Sequence, residues 1–324
     1  MAGVEPPVVA VVGPTATGKS DLGLDLAERL GGEVVNADAM QLYRGMDIGT
    51  AKLSLAKRRG VPHHQLDVLD VSEDASVARY QREGRQDLAD IASRGARAVV
   101  VGGSGLYVRA LLDRMHFPGT EPEVRGRLEE RAERFGTRHL HDELARLDPA
   151  AALAIGPANT RRIVRALEVI ELTGQPYTAN LPEQVYEVPA VQIGLDCDRD
   201  VLDARVERRV DRMWEQGLVE ETLGLLARGM GRTAARAVGY AEVLAMIRGE
   251  TDEAATRAAI VASTRRLARK QMTWFGRDPR VHWLDARDPH VVDRALDAVA
   301  QAEATTAAPG AADEASRGRR TLGS

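Results

Sequence analysis

The sequence contains very little cysteine, since Cys197 is the single one among 324 residues. An internal disulfide and a zinc site built from several cysteines are therefore excluded, and we expect Cys197 to be a small core residue near the end of a strand. Aromatic residues make up only 4% of the chain. The longest apolar runs have the length of a strand, so no segment is long enough to cross a membrane as a helix.

Two further features are missing from the sequence. The start "MAGVEPP" has neither the basic region nor the apolar core of a secretion signal, and together with the lone cysteine this makes us expect a cytoplasmic protein. An excess of positive charge is also absent, because the formal net charge is −4. Overall charge thus gives no support for nucleic-acid binding, but a local basic surface remains compatible with it.

Apolar strand-length segments alternate with helical segments over the first part of the chain. We predict strands at "PVVAVVG", "EVVNADAM" and "ARAVVVGG", with a further candidate at "HQLDVLDV". Helical periodicity marks "SDLGLDLAERLG" and "VARYQREGRQDLADIASRG" between them. This alternation predicts an α/β fold, a parallel sheet with helices on both faces.

The alternation of strands and helices stops near Pro118 and resumes later in the chain, which predicts an insertion. We assign residues 1–120 to the first part of the core and residues 121–186 to an α-helical insertion domain. Residues 187–300 form the second part of the core, with strands at "AVQIGLD" and "RVHWLDA" and a long helix that carries Ile260, Leu267 and Trp274 on one face. Residues 301–324 are small and polar, and we predict a disordered tail.

The segment "GPTATGKS" matches the phosphate-binding loop pattern G-x-x-x-x-G-K-[ST] between a strand and a helix. Its glycines permit a tight turn, and its amides and the helix start would face phosphate oxygens. Lys19 would add a positive charge and Ser20 a hydroxyl for Mg²⁺. The candidate phosphate-binding residues are Gly13, Pro14, Thr15, Ala16, Thr17, Gly18, Lys19 and Ser20. A loop of this kind identifies a P-loop-type core, but it is shared by kinases, ATPases, GTPases and transferases.

Asp38 and Ser104 each follow a predicted strand. Because ligands bind at the carboxyl ends of parallel strands, both residues would lie near the mouth of the loop. Asp38 could take a proton from a nucleophile or ligate a metal through water; a turn or cap role is the alternative. Ser104 could cap a helix, bind substrate, or do both.

Two basic runs, "NTRRIVRALEV" and "STRRLARKQMTWF", stack cations along helices. Solvated helix faces would explain either run alone, but both neighbour candidate loops of one site, which favours RNA. A clear Walker B pattern is missing: Asp67 and Asp70 in "QLDVLD" follow only a short apolar run, which disfavours an ATP-hydrolysing machine.

These segments together resemble tRNA dimethylallyltransferases. The motifs "GPTATGKS", "NADAMQLYRGMDIGTAK", "PHHQLDVLD", "VVVGGSGLYVRAL", "NTRRIVRALEV", "RAVGYAEV" and "TRRLARKQMTWF" come in the order of that family, from about Val8 to about Asp285. The family transfers a dimethylallyl group from its diphosphate to N6 of the adenine 3′ to the anticodon, in tRNAs that read codons starting with U.

The resemblance implies roles for particular residues. The diphosphate would lie on the loop, with Lys19 on its oxygens, Ser20 on Mg²⁺ and Arg236 reaching it from "RAVGY". Asp38 would be the base and Ser104, where the family usually has Thr, a further catalytic hydroxyl. Residues implied to contact tRNA are Asp38, Ala39, Met40, Gln41, Ser104, Arg125, Arg161, Arg162, Ile163, Val164 and Arg165. The implied partners are dimethylallyl diphosphate and the anticodon stem-loop of tRNA, bound by a monomer.

Three other classes remain to be weighed. An adenylate prenyltransferase would share the core chemistry, but the helical insertion and paired arginines disfavour it. A small-molecule or nucleotide kinase would need an adenine pocket and a mobile arginine lid; "TRRIVRALEV" could form part of such a lid, but the residues around Asp38 have no role in a kinase that we can identify. A GTPase-like RNA-binding switch should carry a guanine-reading N-K-x-D motif, and the sequence has none.

Overall fold

The computed structural model describes residues 6–180 and 184–307. The strands are β1 (Val8–Val12), β2 (Gly32–Asn36), β3 (His63–His64), β4 (Arg97–Val101), β5 (Ala190–Asp196) and β6 (Val281–Asp285). The helices are α1 (Lys19–Leu30), α2 (Val77–Ser93), α3 (Gly105–Leu112), α4 (Pro122–Phe135), α5 (Thr137–Leu147), α6 (Pro149–Ile155), α7 (Thr160–Thr173), α8 (Arg199–Glu215), α9 (Leu218–Ala227), α10 (Tyr240–Ile247), α11 (Glu253–Phe275) and α12 (Val291–Ala307). Single 3-10 turns lie at Leu55–Arg58, Tyr177–Asn180 and Ala234–Arg236.

The six strands form one parallel sheet in the order β3-β2-β4-β1-β5-β6. Register places Val34, Val99, Val9 and Val191 in one row across four neighbouring strands. All four are buried, as expected for a parallel sheet rich in β-branched residues and covered by helices. The predicted α/β class is confirmed.

Helices cover both faces of the sheet, because side chains of a strand alternate between faces. On one face Val9 and Val11 pack with Leu22 and Leu26 of α1 and with Val299 of α12. On the other face α2 packs on β2 and β4, and α3 packs on α2. The carboxyl ends of β1, β2 and β4 therefore lie between two layers of helices.

The predicted strand at "HQLDVLDV" is wrong except at its first residue. The structure pairs only His63 and His64 with β2. Directly after them, Gln65 and Asp67 have φ angles of 55° and 57°, in the left-handed region that extended strands do not use. Leu69 then makes one isolated bridge to Tyr43, so this segment is an anchored loop.

The chain divides into two compact units. One consists of the residues up to Leu112 together with those from Tyr186 onward, and the other is Asp113–Val185. The helical insertion thus begins at Asp113, ahead of the predicted residue 121. Helix α12 extends to Ala307, so residues 301–307 are helical where a disordered tail was predicted; the rest of that prediction falls on 308–324, outside the described residues.

The structure also bears on the predictions made for Cys197 and for membrane-spanning segments. Cys197 lies just beyond β5 and is half-buried, so it does not belong to the core. Among the described residues, no helix is both long and apolar enough to cross a membrane.

The helical unit has its own apolar core and contains the buried acid Glu168. Helices α4, α5, α6 and α7 enclose Leu128, Leu140, Leu144, Ile163 and Leu167.

Glu168 of α7 lies in this unit with a side chain that is 0% exposed. Its carboxylate accepts hydrogen bonds from Arg125 at 2.7 Å, from Arg165 at 2.8 Å and from the backbone N–H of Glu121 at 3.2 Å. Burial alone would raise the pKa of Glu168, but the hydrogen bonds from Arg165 and Arg125 outweigh it and lower the pKa.

We predict that Glu168→Gln lowers the free energy of unfolding by about 1–3 kcal/mol, because it removes charge-assisted hydrogen bonds from a buried position. The folded-state pKa lies below the unfolded value, so this stabilisation is present above the unfolded pKa and is lost as pH falls through the folded pKa. Urea unfolding at neutral and acidic pH measures the difference, which should shrink at acidic pH.

Glu171→Gln is the matched control, since Glu171 lies on the same helix, is 45% exposed and pairs with Arg127 at the surface. Its effect should stay within about 0.5 kcal/mol. An equal loss in the two variants would contradict the role given to Glu168.

Candidate active site

The phosphate-binding loop links β1 to α1 and has the backbone that its glycines allow. Gly13 has a φ of 126°, and a Cβ there would lie 2.6 Å from the carbonyl oxygen of Leu195. Gly18 has a φ of 95° and forms the N-cap of α1. A side chain at Gly13 would collide with β5, and a side chain at Gly18 would strain the turn. The loop therefore lies close to the sheet and directs the start of α1 into a cavity.

Lys19 and Ser20, at the start of α1, both line this cavity. The Lys19 amine donates a hydrogen bond to the carbonyl oxygen of Pro14 at 2.5 Å. Burial and, to a smaller extent, the charge of Arg209 lower the pKa of Lys19 to about 7, although the nearby carboxylate of Asp38 opposes the shift. An anion bound in the cavity would favour the charged amine.

Gln271 of α11 connects two loops of the site. Its side-chain oxygen accepts a hydrogen bond from the backbone N–H of Thr15 at 2.8 Å. Its amide nitrogen donates to the carbonyl oxygen of Gly103 at 3.0 Å. Both backbone groups would otherwise be unpaired, which costs free energy in a buried position, so Gln271 fixes the phosphate loop against the loop after β4. No local feature of the sequence indicated this role.

Asp38 is held in a defined orientation just beyond β2. Its backbone N–H donates to Asn36 Oδ1 at 2.9 Å, and its Oδ1 accepts from the N–H of Met40 at 2.9 Å. Asn36 in turn donates to the carbonyl oxygens of Asp38 and Gln65. Oδ2 of Asp38 has no hydrogen-bond partner within the described chain, and Asp38 lines the cavity. A fixed carboxylate with one free oxygen is suited to accept a proton.

Ser104 lies one loop away from Asp38, at the start of α3. Its hydroxyl accepts a hydrogen bond from the N–H of Ala39 at 3.1 Å, and its own N–H donates to the carbonyl oxygen of Ala37 at 3.2 Å. These contacts fasten the segment after β2 to the segment after β4. Ser104 is outside the residues that line the cavity, so its predicted contact with substrate stays a prediction.

The polar segment after Asp38 is held mainly by side chains from distant helices. The Glu221 carboxylate of α9 accepts hydrogen bonds from the N–H groups of Asp47, Ile48 and Gly49 and from the Tyr240 hydroxyl. The Lys52 amine, almost fully buried, pairs with Asp47 and with Asp67.

These polar and charged side chains therefore stabilise the segment itself. Asp67 is occupied by Lys52, and Asp70 pairs with Arg228 at 3.0 Å. Neither acid is left free for a Walker B role.

Four arginines of α8 line the cavity at helical spacing: Arg205, Arg208, Arg209 and Arg212. Arg209 donates to the hydroxyl of Thr15 at 3.0 Å and to the carbonyl oxygen of Thr50 at 3.3 Å. Its Nε is buried without a hydrogen-bond partner in the described part of the molecule. The cavity has a volume of about 1370 Å³, and Arg209 supplies positive charge beside the phosphate loop.

Sequence reasoning did not identify Arg209 and assigned the corresponding role to Arg236. Arg236 ends a 3-10 turn, is exposed, and is not among the residues that line this cavity. Its contact with a diphosphate stays a prediction. The spacing Arg205, Arg209, Arg212 along one helix was the signal that could have indicated a cationic wall.

The residues expected to contact tRNA fall into three groups. Near Asp38, Gln41 lines the cavity, while the N–H groups of Ala39 and Met40 are already used by Ser104 and Asp38. In the helical unit, Arg161 and Arg162 are exposed and lack an acidic partner among the described residues.

The remaining four are less available. Ile163 and Val164 are buried in the core of the helical unit, so their side chains face other helices. Arg125 and Arg165 are paired with Glu168. In this unit, the cations of the predicted set that remain free are Arg161 and Arg162.

A magnesium ion would find one protein ligand here. The Ser20 hydroxyl lines the cavity and has no hydrogen-bond partner among the described residues. No group of three or more acidic, histidine or cysteine side chains in the described chain could hold a metal. This donor set fits Mg²⁺, which often keeps its waters and binds through substrate phosphates rather than an all-protein cage.

Comparisons with known proteins indicate the family of the chain. A family model described as IPP transferase matches residues 41–278. A tRNA dimethylallyltransferase from Kineococcus radiotolerans is 59% identical over 290 residues, covering 87% of this chain and 92% of that protein. The full-length tRNA isopentenylpyrophosphate transferase from Bacillus halodurans has a TM-score of 0.67 at 38% identity, covering 91% of this chain and 97% of that chain. A eukaryotic dimethylallyltransferase acting on tRNA has a TM-score of 0.80 at 26% identity, covering 91% of this chain and 78% of that chain.

We predict that inorganic pyrophosphate binds this loop with an affinity that falls as pH rises through about 7, the pKa of Lys19. A bound anion raises the pKa of the amine, so the lysine contributes fully below its free-protein pKa and progressively less above it. Titration calorimetry in buffers of different ionisation enthalpy measures both the affinity and the protons taken up.

Lys19→Arg is the control, because its guanidinium stays charged throughout this pH range. Protonation changes of pyrophosphate itself are common to both proteins, so the ratio of their affinities reports the lysine. If that ratio were the same at every pH, the titration assigned to Lys19 would be refuted.

Proposed function

The chain belongs to the IPP transferase family, and from that premise we propose that it transfers a dimethylallyl group from dimethylallyl diphosphate to N6 of an adenine in tRNA. The base is the one 3′ to the anticodon in tRNAs that read codons starting with U. The observation that carries the proposal is one cavity lined by Lys19, Arg209 and Asp38. The cavity combines cations that can bind phosphates with a fixed carboxylate that has one oxygen free of hydrogen bonds.

The cations of the cavity stabilise the leaving diphosphate. As the bond between the allylic carbon and its oxygen breaks, the electron pair and the negative charge go to the diphosphate. Lys19, Arg209 and the amides of the loop are already in position to interact with that charge, which is preorganised electrostatic stabilisation. Removing one contact of this kind typically lowers kcat by about 10²–10³-fold.

Asp38 acts on the nucleophile. The exocyclic amine of adenine is a weak nucleophile because its lone pair is conjugated with the ring. As the bond from N6 to the allylic carbon forms, the amine must lose a proton, and Oδ2 of Asp38 accepts it. The hydrogen bond from Met40 to Oδ1 orients the carboxylate for this transfer. Positioned general bases contribute roughly 10²–10⁴-fold.

The Ser20 hydroxyl would hold Mg²⁺ together with oxygens of the diphosphate. When bound, the ion supplies additional positive charge to the leaving group. Lys19 and Arg209 act on the same oxygens from the protein side. Such an ion complements the loop without needing a cluster of acids.

The proposal also includes how the tRNA reaches the cavity. The target base must leave its stack to enter a buried site, and a loop substrate permits this because its bases are readily splayed out. The exposed Arg161 and Arg162 of the helical unit are suited to contact the phosphates of the anticodon stem-loop. We further propose that the enzyme works as a monomer in the cytoplasm, which light scattering and localisation of the tagged chain would test.

The mutational test addresses Asp38. Asp38→Asn preserves an acceptor for the N–H of Met40 but removes the base, so we predict a loss of kcat of about 10²–10⁴-fold, with tRNA affinity within a few-fold. Single-turnover kinetics and a binding titration separate the two quantities. Asp90→Asn, at an exposed position of α2, should behave as the native protein. Full activity of Asp38→Asn would remove Asp38 as the base.

The reaction itself is tested directly with labelled dimethylallyl diphosphate, unmodified tRNA and Mg²⁺ in the absence of ATP. We predict label in the tRNA and pyrophosphate as the second product. The other classes give different outcomes: labelled free adenylate would indicate an adenylate prenyltransferase, and an absolute requirement for ATP would indicate a kinase.

A further inference from the structure

The last turns of α11 leave an aromatic side chain partly uncovered. The sequence predicted Ile260, Leu267 and Trp274 on one face, and the structure buries only the first: Ile260 is 1% exposed, whereas Leu267 is 37% and Trp274 is 42% exposed. The indole N–H of Trp274 has no hydrogen-bond partner within the described residues. An exposed tryptophan with a free N–H in a chain so poor in aromatic residues calls for an explanation.

The indole lies beside the reaction site without lining the cavity. A Cβ added at Gly105 would be 2.0 Å from its Nε1, so the ring lies on the backbone at the start of α3, next to Ser104. Three residues earlier on α11, Gln271 binds the backbones of Thr15 and Gly103. The same end of α11 therefore fastens the loops of the site and presents Trp274 at their outer edge.

Positive charge surrounds this aromatic side chain. Lys270 precedes it by one helical turn and Arg277 follows it just beyond the helix. Both are exposed and have no acidic partner in the described chain. Arg265, further back on the helix, pairs with Asp203 and Glu207, whereas Arg266 and Arg269 also lack an acidic partner among the described residues. Unpaired positive charge therefore extends along the last turns of α11 as far as Trp274.

We propose that Trp274 is a stacking platform for a base of the anticodon loop next to the target adenine, with Lys270 and Arg277 on the adjoining phosphates. An aromatic ring flanked by cations is how proteins hold single-stranded nucleic acid, because every base has a face to stack and every nucleotide a phosphate. Trp274 is a positioning residue: it holds the loop so that one base is displaced toward Asp38. This inference rests on the proposed tRNA substrate.

Two structural explanations make different predictions. Packing of the indole on Gly105 would require Trp274 for stability alone. Cations near the end of α11 would complement the helix dipole alone. Neither explanation predicts a change in RNA affinity or in its salt dependence.

The test uses the full chain and an unmodified anticodon stem-loop RNA. Trp274→Ala should raise the Kd for this RNA by roughly 5- to 100-fold, the effect of losing one base–aromatic stack, whereas Trp274→Phe should stay within a few-fold. RNA should quench the tryptophan fluorescence of the native protein but not that of Trp274→Phe. Lys270→Ala and Arg277→Ala should each lower the salt slope of binding by about 1.

Leu223→Ala is the matched control, because Leu223 is 46% exposed on α9 and should leave the RNA affinity unchanged. Affinity for dimethylallyl diphosphate, measured in parallel, should be the same in all variants if they are folded. Unchanged RNA affinity in Trp274→Ala, or a quench that persists in Trp274→Phe, would overturn the inference. Prenylation of the stem-loop by the native protein tests the proposed function independently of Trp274. If the native protein prenylates the RNA, only the stacking inference is refuted by these outcomes; if it does not, the proposed function itself is refuted.

Discussion

The burial of two cations in one cavity is the constraint on which the site depends. Lys19 and Arg209 come from opposite halves of the chain, and the charge of each is disfavoured by burial. Asp38 is the acid that favours the charged form of both. One carboxylate cannot satisfy two half-buried cations, so the cavity retains an excess of positive charge. A multiply charged anion would compensate this excess charge when it binds, which is the physical basis for the proposed binding of a diphosphate.

Neutral and acidic side chains from distant helices keep these charges in place. Gln271 fixes the phosphate loop to the loop after β4, and Glu221 gathers three successive N–H groups of the segment that forms the opposite wall. Each of these side chains satisfies backbone groups that would otherwise be unpaired. The loops are therefore rigid although they lack regular structure, and Arg209 can join them through Thr15 and Thr50. Rigidity of this kind is what preorganised catalysis needs.

Local features of the chain could be predicted from the sequence because they depend on residues that are close together in it. β-branched runs specified the strands of the sheet, and the glycines of the loop specified its turn. The contacts of Arg209, Gln271 and Glu221 could not be predicted, since each side chain bonds to residues more than a hundred positions away. The strand at β3 was predicted too long, because the alternation of apolar and polar residues in "HQLDVLDV" does not reveal that Gln65 has a left-handed backbone.

An acidic chain can still bind RNA, because affinity follows the cations that remain unpaired rather than the net charge. In the helical unit, Glu168 neutralises Arg125 and Arg165, while Arg161 and Arg162 on the same helix as Glu168 stay free. A run of arginines in the sequence thus mixes residues that hold the fold with residues open to a ligand. The acid three positions beyond Arg165 distinguishes them, since it is completely buried and requires nearby positive charge. Reading a basic helix for RNA contacts therefore begins with locating its buried acids.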